Sequence, residues 1–226
     1  MPAIRLEHAA KIFKNEKGVS ETLRVDLTIA QGDFLFIIGP EGSGVHTLME
    51  LIAGELEPDG GEVWLGGANL WALSRRESRD FRSCMGIVLW EDDLIPSETV
   101  FKNLASAHYL EYLKNKLMHR REIGKALSLV GLPGREDEWA EALTPSERSR
   151  ALLARAIWKS PSILVLDGLA ERADDGTVWD MLHLLGALNA RGTTVVFSTA
   201  DSSYATTMNK RVLSLNGGRL SGGIRR

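Results

Sequence analysis

A single cysteine, Cys84, stands in 226 residues. No internal disulfide can therefore staple the chain, and that usage fits a reducing compartment; Cys84 reads as a packing residue. Long apolar runs are also missing. The longest, Phe34 to Ile38 and Ile163 to Leu166, have strand length and fall far short of the ~20 apolar residues that cross a bilayer. If the protein works at a membrane, another chain must anchor it. Excess positive charge is absent as well: 27 Lys and Arg face 30 Asp and Glu, a formal charge of −3, which excludes the basic footprint of a nucleic-acid binder. The opening MPAIRLEHAAKIF carries charges throughout and no apolar h-region, which predicts no secretory signal. What remains is the composition of an ordinary soluble globular protein, 44% hydrophobic and 25% charged, with neither low-complexity tracts nor repeats.

Short apolar patterns at Ile4 to His8, Leu23 to Ile29 and Glu62 to Leu65, separated by Gly-rich punctuation, predict antiparallel strands. Asp33 to Ile38 reads as a strand buried on both faces. A helical pattern from Thr47 to Ala53 follows, with Gly54 as its stop. Ser97 to Trp139 looks helical, its basic stretch KNKLMHRREIGK reading as a solvated face. Ser146 to Trp158 is a further helix, Ile163 to Leu166 a second buried strand, Asp180 to Arg191 a helix and Thr194 to Ser198 a third buried strand. Strands alternating with helices imply an α/β fold around a mostly parallel sheet, with a small antiparallel part from the N-terminal strands.

Between the first buried strand and its helix lies Gly39-Pro40-Glu41-Gly42-Ser43-Gly44. Glycines there permit strained dihedrals and close backbone approach, and successive amides with the positive end of a helix cradle anionic oxygens. The full phosphate-binding pattern asks for Gly-x4-Gly-Lys-Ser/Thr. Gly39 and Gly44 have that spacing, but Val45 and His46 occupy the Lys and Ser/Thr positions, ahead of Thr47.

With those residues in place, the order of features along nearly the whole chain resembles the ATP-binding subunits of ABC transporters, in particular an FtsE-like cell-division branch. The turn Ala30-Gln31-Gly32-Asp33, the segment Gly86 to Leu89 leading into a Q-loop, a signature before the helix Ala151 to Ala156, a Walker B strand Ile163 to Asp167, Asp174 in a D-loop, a switch strand ending near Asp201, and the glycines from Leu215 to Gly223 carry the likeness. It implies one nucleotide-binding domain over 1–226, a P-loop NTPase core at 1–89 and 153–226 with a helical subdomain at about 90–152. It also implies composite sites shared between two subunits, as a homodimer or with an ABC paralogue, and a transmembrane subunit resembling FtsX as partner. The chain would then be cytoplasmic and peripheral at the inner face of the cell membrane.

The departures are as informative as the matches. The resemblance places the phosphate-contacting Lys at Val45, the Mg²⁺-ligating hydroxyl at His46, the Q-loop Gln at Trp90, the catalytic Glu at Gly168 and the switch His at Ala200. The signature Leu-Ser-Gly-Gly-Gln reads Leu143-Thr144-Pro145-Ser146-Glu147. Asp167, the metal-proximal carboxylate, is retained. A charge-assisted hydrogen bond is worth about 1.5–3 kcal/mol and a general base about 10²–10⁴ in rate, so efficient hydrolysis in this chain's own site is not expected. Any ATP is expected to be held weakly, by Phe13, Gly39, Glu41, Gly42, Ser43, Gly44, Val45, His46 and Thr47, and Mg²⁺ is doubtful, having lost the hydroxyl ligand at His46 and kept Asp167 as a weak one.

Thr144-x-x-Glu147 forms a capping box with Pro145 at the first helical position, so that helix should start well while Pro145 lacks an amide for a phosphate. Phe13 stands where the family stacks an aromatic on adenine, though a packed Phe would look the same. His46 either touches an anion in place of Lys or caps the loop. In the family a short helix of the membrane subunit fits a groove beside the Q-loop; carried here, that groove would include Trp90, Leu94, Ile95 and Phe101, with Trp90 as anchor. Two functions compete: a pseudo-ATPase that docks as a scaffold or regulator, and an active ATP-hydrolysing subunit, alone or with a catalytic paralogue. A GTP-binding switch fails, because its guanine-reading motif is missing.

Overall fold

The computed structural model describes residues 2–14, 20–106 and 116–222. Ten strands form one sheet in the order β5-β4-β1-β2-β10-β9-β3-β8-β7-β6. Its parallel part holds β3 (Phe34–Ile38), β6 (Met85–Val88), β7 (Ile163–Leu166), β8 (Thr194–Thr199) and β9 (Arg211–Asn216). Its antiparallel part holds β1 (Pro2–Lys14), β2 (Ser20–Ala30), β4 (Gly60–Leu65) and β5 (Ala68–Asn69). The short β10 (Arg219–Ser221) bridges the two, antiparallel to β9 and parallel to β2. The α/β fold expected from the sequence is therefore present, and the antiparallel strands extend the same sheet.

The run Phe34-Leu35-Phe36-Ile37 shows why β3 sits inside the sheet, between β9 and β8. Its side chains alternate between the faces with period two, so Phe34 and Phe36 join one core while Leu35 and Ile37 join the other. The first core lies beneath α3 (Val100–Ser106), α4 (Lys116–Leu129), α5 (Pro145–Ile157) and α6 (Asp175–Ala190); the second lies between the sheet and α1 (Val45–Ala53). Each fully buried aliphatic or aromatic side chain contributes about 1.5–3 kcal/mol, so both faces of β3 are strongly specified. Gly54 ends α1 in the left-handed region, φ 70, its amide donating to the Glu50 and Leu51 carbonyls.

Three details differ from the sequence expectations. The helix expected from Ser97 to Trp139 is interrupted: α3 and α4 flank residues 107–115, which lie outside the described residues, and the chain leaves α4 through Gly131 (φ 83) and Gly134 (φ 75). Trp139 then pairs with Thr99 as a β-bridge. The helix expected from Asp180 begins at Asp175, because Asp174 accepts from the Thr177 amide at 2.9 Å and caps it. Cys84 is exposed, not packed, at the end of α2 (Arg75–Arg82). A further short helix, α7 (Ser202–Thr207), follows β8. Among the described residues no helix is long and apolar enough to cross a membrane.

Candidate functional site

β3 delivers the chain into the loop 39–44, and α1 starts immediately after it. The Ser43 amide donates to the Pro40 carbonyl at 3.0 Å and closes the turn. Gly42 and Gly44 adopt φ 74 and φ 92, which would cost an ordinary residue about 1–2 kcal/mol. Gly39 is needed for space: a Cβ there would lie 2.7 Å from the Leu215 carbonyl oxygen and 2.7 Å from Val45 Cγ2. Gly44 caps α1 without any side chain, so the amides of Val45, His46 and Thr47 have no helical acceptor. The Ser43 hydroxyl is buried in the same loop without a hydrogen-bond partner among the described residues.

A cleft of about 790 Å³ opens over this loop. The sheet order gives it two sides. On the β2–β10–β9 side it is walled by Phe13, Leu23, Gly217 and Gly218; on the β8–β7–β6 side by Trp90, Glu171 and Ser198 to Ala200. Phe13, Gly39, Glu41, Gly42, Ser43, Gly44, Val45, His46 and Thr47, the residues expected to hold nucleotide, all line it. Val45 turns its methyl groups into the core beneath α1. Among the described lining residues there are two carboxylates, Glu41 and Glu171, and neither Lys nor Arg.

Below the cleft, Asp167 follows the end of β7 and is 1% exposed. Ser198 Oγ donates to one of its carboxylate oxygens, Oδ1, and His46 Nδ1 donates to the other, Oδ2, at 2.8 Å. His46 thus meets an anion, but one supplied by the protein. The Trp90 ring lies against the His46 ring with centroids 4.4 Å apart, and the Arg172 guanidinium sits 5.5 Å over the Trp90 ring. Arg172 also donates to the Asp92 carbonyl at 2.5 Å, while Arg155 reaches the Asp92 carboxylate at 3.0 Å, so the segment after β6 is pinned from two sides. A Cβ on Gly168, which has φ +77, would lie 2.8 Å from Trp90 Cε3. Glu171 accepts from the Ala200 amide at 3.1 Å. One turn along α1 from His46, burial pushes the Glu50 carboxyl above its ordinary range, and repulsion from Glu91 and Asp167 adds to the effect.

These residues fit an anion better than a divalent cation. Mg²⁺ wants near-octahedral oxygen coordination. Here an imidazole replaces the hydroxyl, and both oxygens of the one buried carboxylate already accept protein hydrogen bonds.

The start of α5 is built otherwise. Leu143 is buried. Thr144 Oγ1 accepts from the Glu147 amide at 3.3 Å and Glu147 Oε2 accepts from the Thr144 amide at 2.8 Å, with Pro145 opening the helix. Arg135 holds the other Glu147 oxygen at 2.9 Å. Ser146 Oγ donates to Asp174 Oδ2 at 2.5 Å, and that bond, with those from Thr177, draws the Asp174 carboxyl down to about 2. The residues expected to form a docking groove separate. Leu94 (2% exposed) and Phe101 (7%) are sealed in the core with Val100, Leu104 and Ile123, so neither can act as a surface anchor; Ile95 is exposed and Trp90 leans into the cleft.

A family model described as ABC transporter matches residues 23–170. Among similar proteins, the cell division ATP-binding protein FtsE of Mycobacterium tuberculosis (strain ATCC 25618 / H37Rv) is 32% identical over 96% of this chain and 94% of its own length. FtsE of Escherichia coli (strain K12) is 29% identical over 98% of each. A bacterial ABC transporter cassette solved as a dimer superposes with a TM-score of 0.86 at 26% identity, covering 97% of this chain and 98% of that one. The same cassette in a post-hydrolysis state bound to ADP and Pi gives 0.85, also at 26% identity and with the same coverage.

Proposed function

Since this chain belongs to the ABC transporter family, in its FtsE-like branch, we propose that it is a degenerate ATP-binding subunit that docks on an FtsX-like transmembrane subunit as a scaffold or regulator, with little or no ATP hydrolysis of its own. The observation that carries this reading is the closed hydrogen-bond set around Asp167: His46 and Ser198 satisfy both carboxylate oxygens, and Trp90 fills the space that a side chain at 168 would need. Phosphoryl transfer is mostly positioning and charge neutralisation. This cleft offers no cationic side chain among its described lining residues, no base at 168 and no side-chain proton carrier at Ala200. Its place is the cytoplasmic face of the membrane, held there by the partner, as a homodimer or beside an ABC paralogue.

Phosphate release by the purified chain, alone and with its membrane subunit, is the test. Turnover stays at background with Mg²⁺ and ATP, and Mg²⁺-dependent turnover by the unmodified chain would sink the proposal. The triple variant Val45→Lys, His46→Ser, Gly168→Glu also stays at background, because the Trp90 ring occupies the position of the new Glu. A second reading, an ATP-hydrolysing subunit with a catalytic paralogue, draws on the open amide cradle of α1; mixing with that paralogue would then restore turnover.

A further inference from the structure

The two sides of the cleft differ in chemistry, and the difference bears on which nucleotide it takes. On the β2–β10–β9 side an exposed aromatic, Phe13, and the backbone of Gly217 and Gly218 offer a flat, uncharged wall suited to a base. In the middle the amides at the start of α1 and the buried Ser43 hydroxyl, without a hydrogen-bond partner among the described residues, offer donors to phosphate oxygens. On the β8–β7–β6 side, where the far end of a phosphate chain would lie, the space belongs to the His46 and Trp90 rings, tilted at 33° to each other. Glu171 lines that side, its carboxylate accepting from the Ala200 amide, and the His46 imidazole already donates to Asp167.

We infer that the cleft selects a nucleotide ending at its second phosphate, a nucleoside diphosphate over a triphosphate, and binds it without a metal ion. This rests on the reading of the chain as a degenerate nucleotide-binding subunit and names the ligand of that same site. Trp90 and Glu171 are its specificity-determining residues. Trp90 removes volume beyond the second phosphate. Glu171 places a negative charge where a third phosphate would bring up to two more, with neither Lys nor Arg among the described lining residues to offset them. The bond it accepts from the Ala200 amide is retained by a Gln.

Calorimetric titration of the purified full chain with ADP and with ATP, each in Mg²⁺ and in EDTA, tests the inference. ADP is expected to bind at least about tenfold more tightly than ATP, a difference on the scale of one charge contact, and EDTA is expected to change the ADP affinity less than twofold. Glu171→Gln is expected to strengthen ATP about threefold and ADP by less than twofold. Equal or tighter ATP binding, strengthening of either nucleotide by Mg²⁺, or no binding of ADP would each overturn the inference. Turnover is read separately, so ATP that binds tightly and is not hydrolysed would defeat the diphosphate preference and leave the proposed function standing.

Discussion

The helices α1 and α5 both begin with amides that lack helical acceptors, and they dispose of them in opposite ways. At α1 the cap is a glycine in the left-handed region with no side-chain bond, and the buried Ser43 hydroxyl beside it has no partner among the described residues. At α5 the capping box takes up the Thr144 and Glu147 amides, Pro145 brings no amide to the first position, and Asp174 accepts from the Ser146 hydroxyl. The first forgoes about 1 kcal/mol of capping and leaves its donors free. The second surrounds its start with carboxylates that would repel an anion. Within one molecule, one helix start therefore leaves its amides open and the other occupies its own.

Substitutions can test that contrast. Gly39→Ala should have the largest effect, about 2–3 kcal/mol of destabilisation in urea unfolding, because the new methyl meets the Leu215 carbonyl and cannot swing away; an unchanged midpoint would show that the receptive loop is looser than described. Thr144→Ala should cost about 1 kcal/mol in the same experiment, with no effect on nucleotide affinity, since α5 closes on itself; a change in affinity would mean its start still reads phosphate. The smallest effect is a pH dependence. Asp174 has its folded value lowered from 3.8 to about 2, first by the Ser146 hydroxyl and then by Thr177. A lowered carboxylate contributes stability that is complete above 3.8 and is lost as pH falls through about 2. The stability gap between the parent and Asp174→Asn should therefore be constant near neutrality and shrink below pH about 4; a gap that stays constant down to pH 2 would remove the Ser146–Asp174 bond from the account.

Local chemistry was legible in the sequence. The capping box at Thr144 and Glu147, the stop at Gly54 and the buried alternation of β3 each depend on neighbours within a few positions, and each is found where those residues place it. Contacts between distant residues were not. His46 and Asp167 are 121 positions apart, and nothing in either stretch announces their bond. Leu94 and Phe101 look like surface anchors only if the direction of their segment is assumed; packing turned both inward. The helix α2 escaped because RRESRDFR has almost no apolar stripe, yet Ser74-x-x-Glu77 is the same capping signal that marked α5 and would have found it.

The position of β10 sets an order for assembly. β1, β2, β4 and β5 can pair among themselves from residues synthesised early, whereas among the described residues the strand pairing between that antiparallel group and the parallel strands runs through residues 211–221, with Arg219 facing Arg24. Until those residues leave the ribosome, β2 and β3 are two unpaired edges, each a template for wrong pairing with another chain. The last two described strands thus act as the keystone of the sheet, and a chain stopped before Arg211 holds two half-sheets linked by the turn after Ala30 and by the core beneath α1 but by no strand pairing.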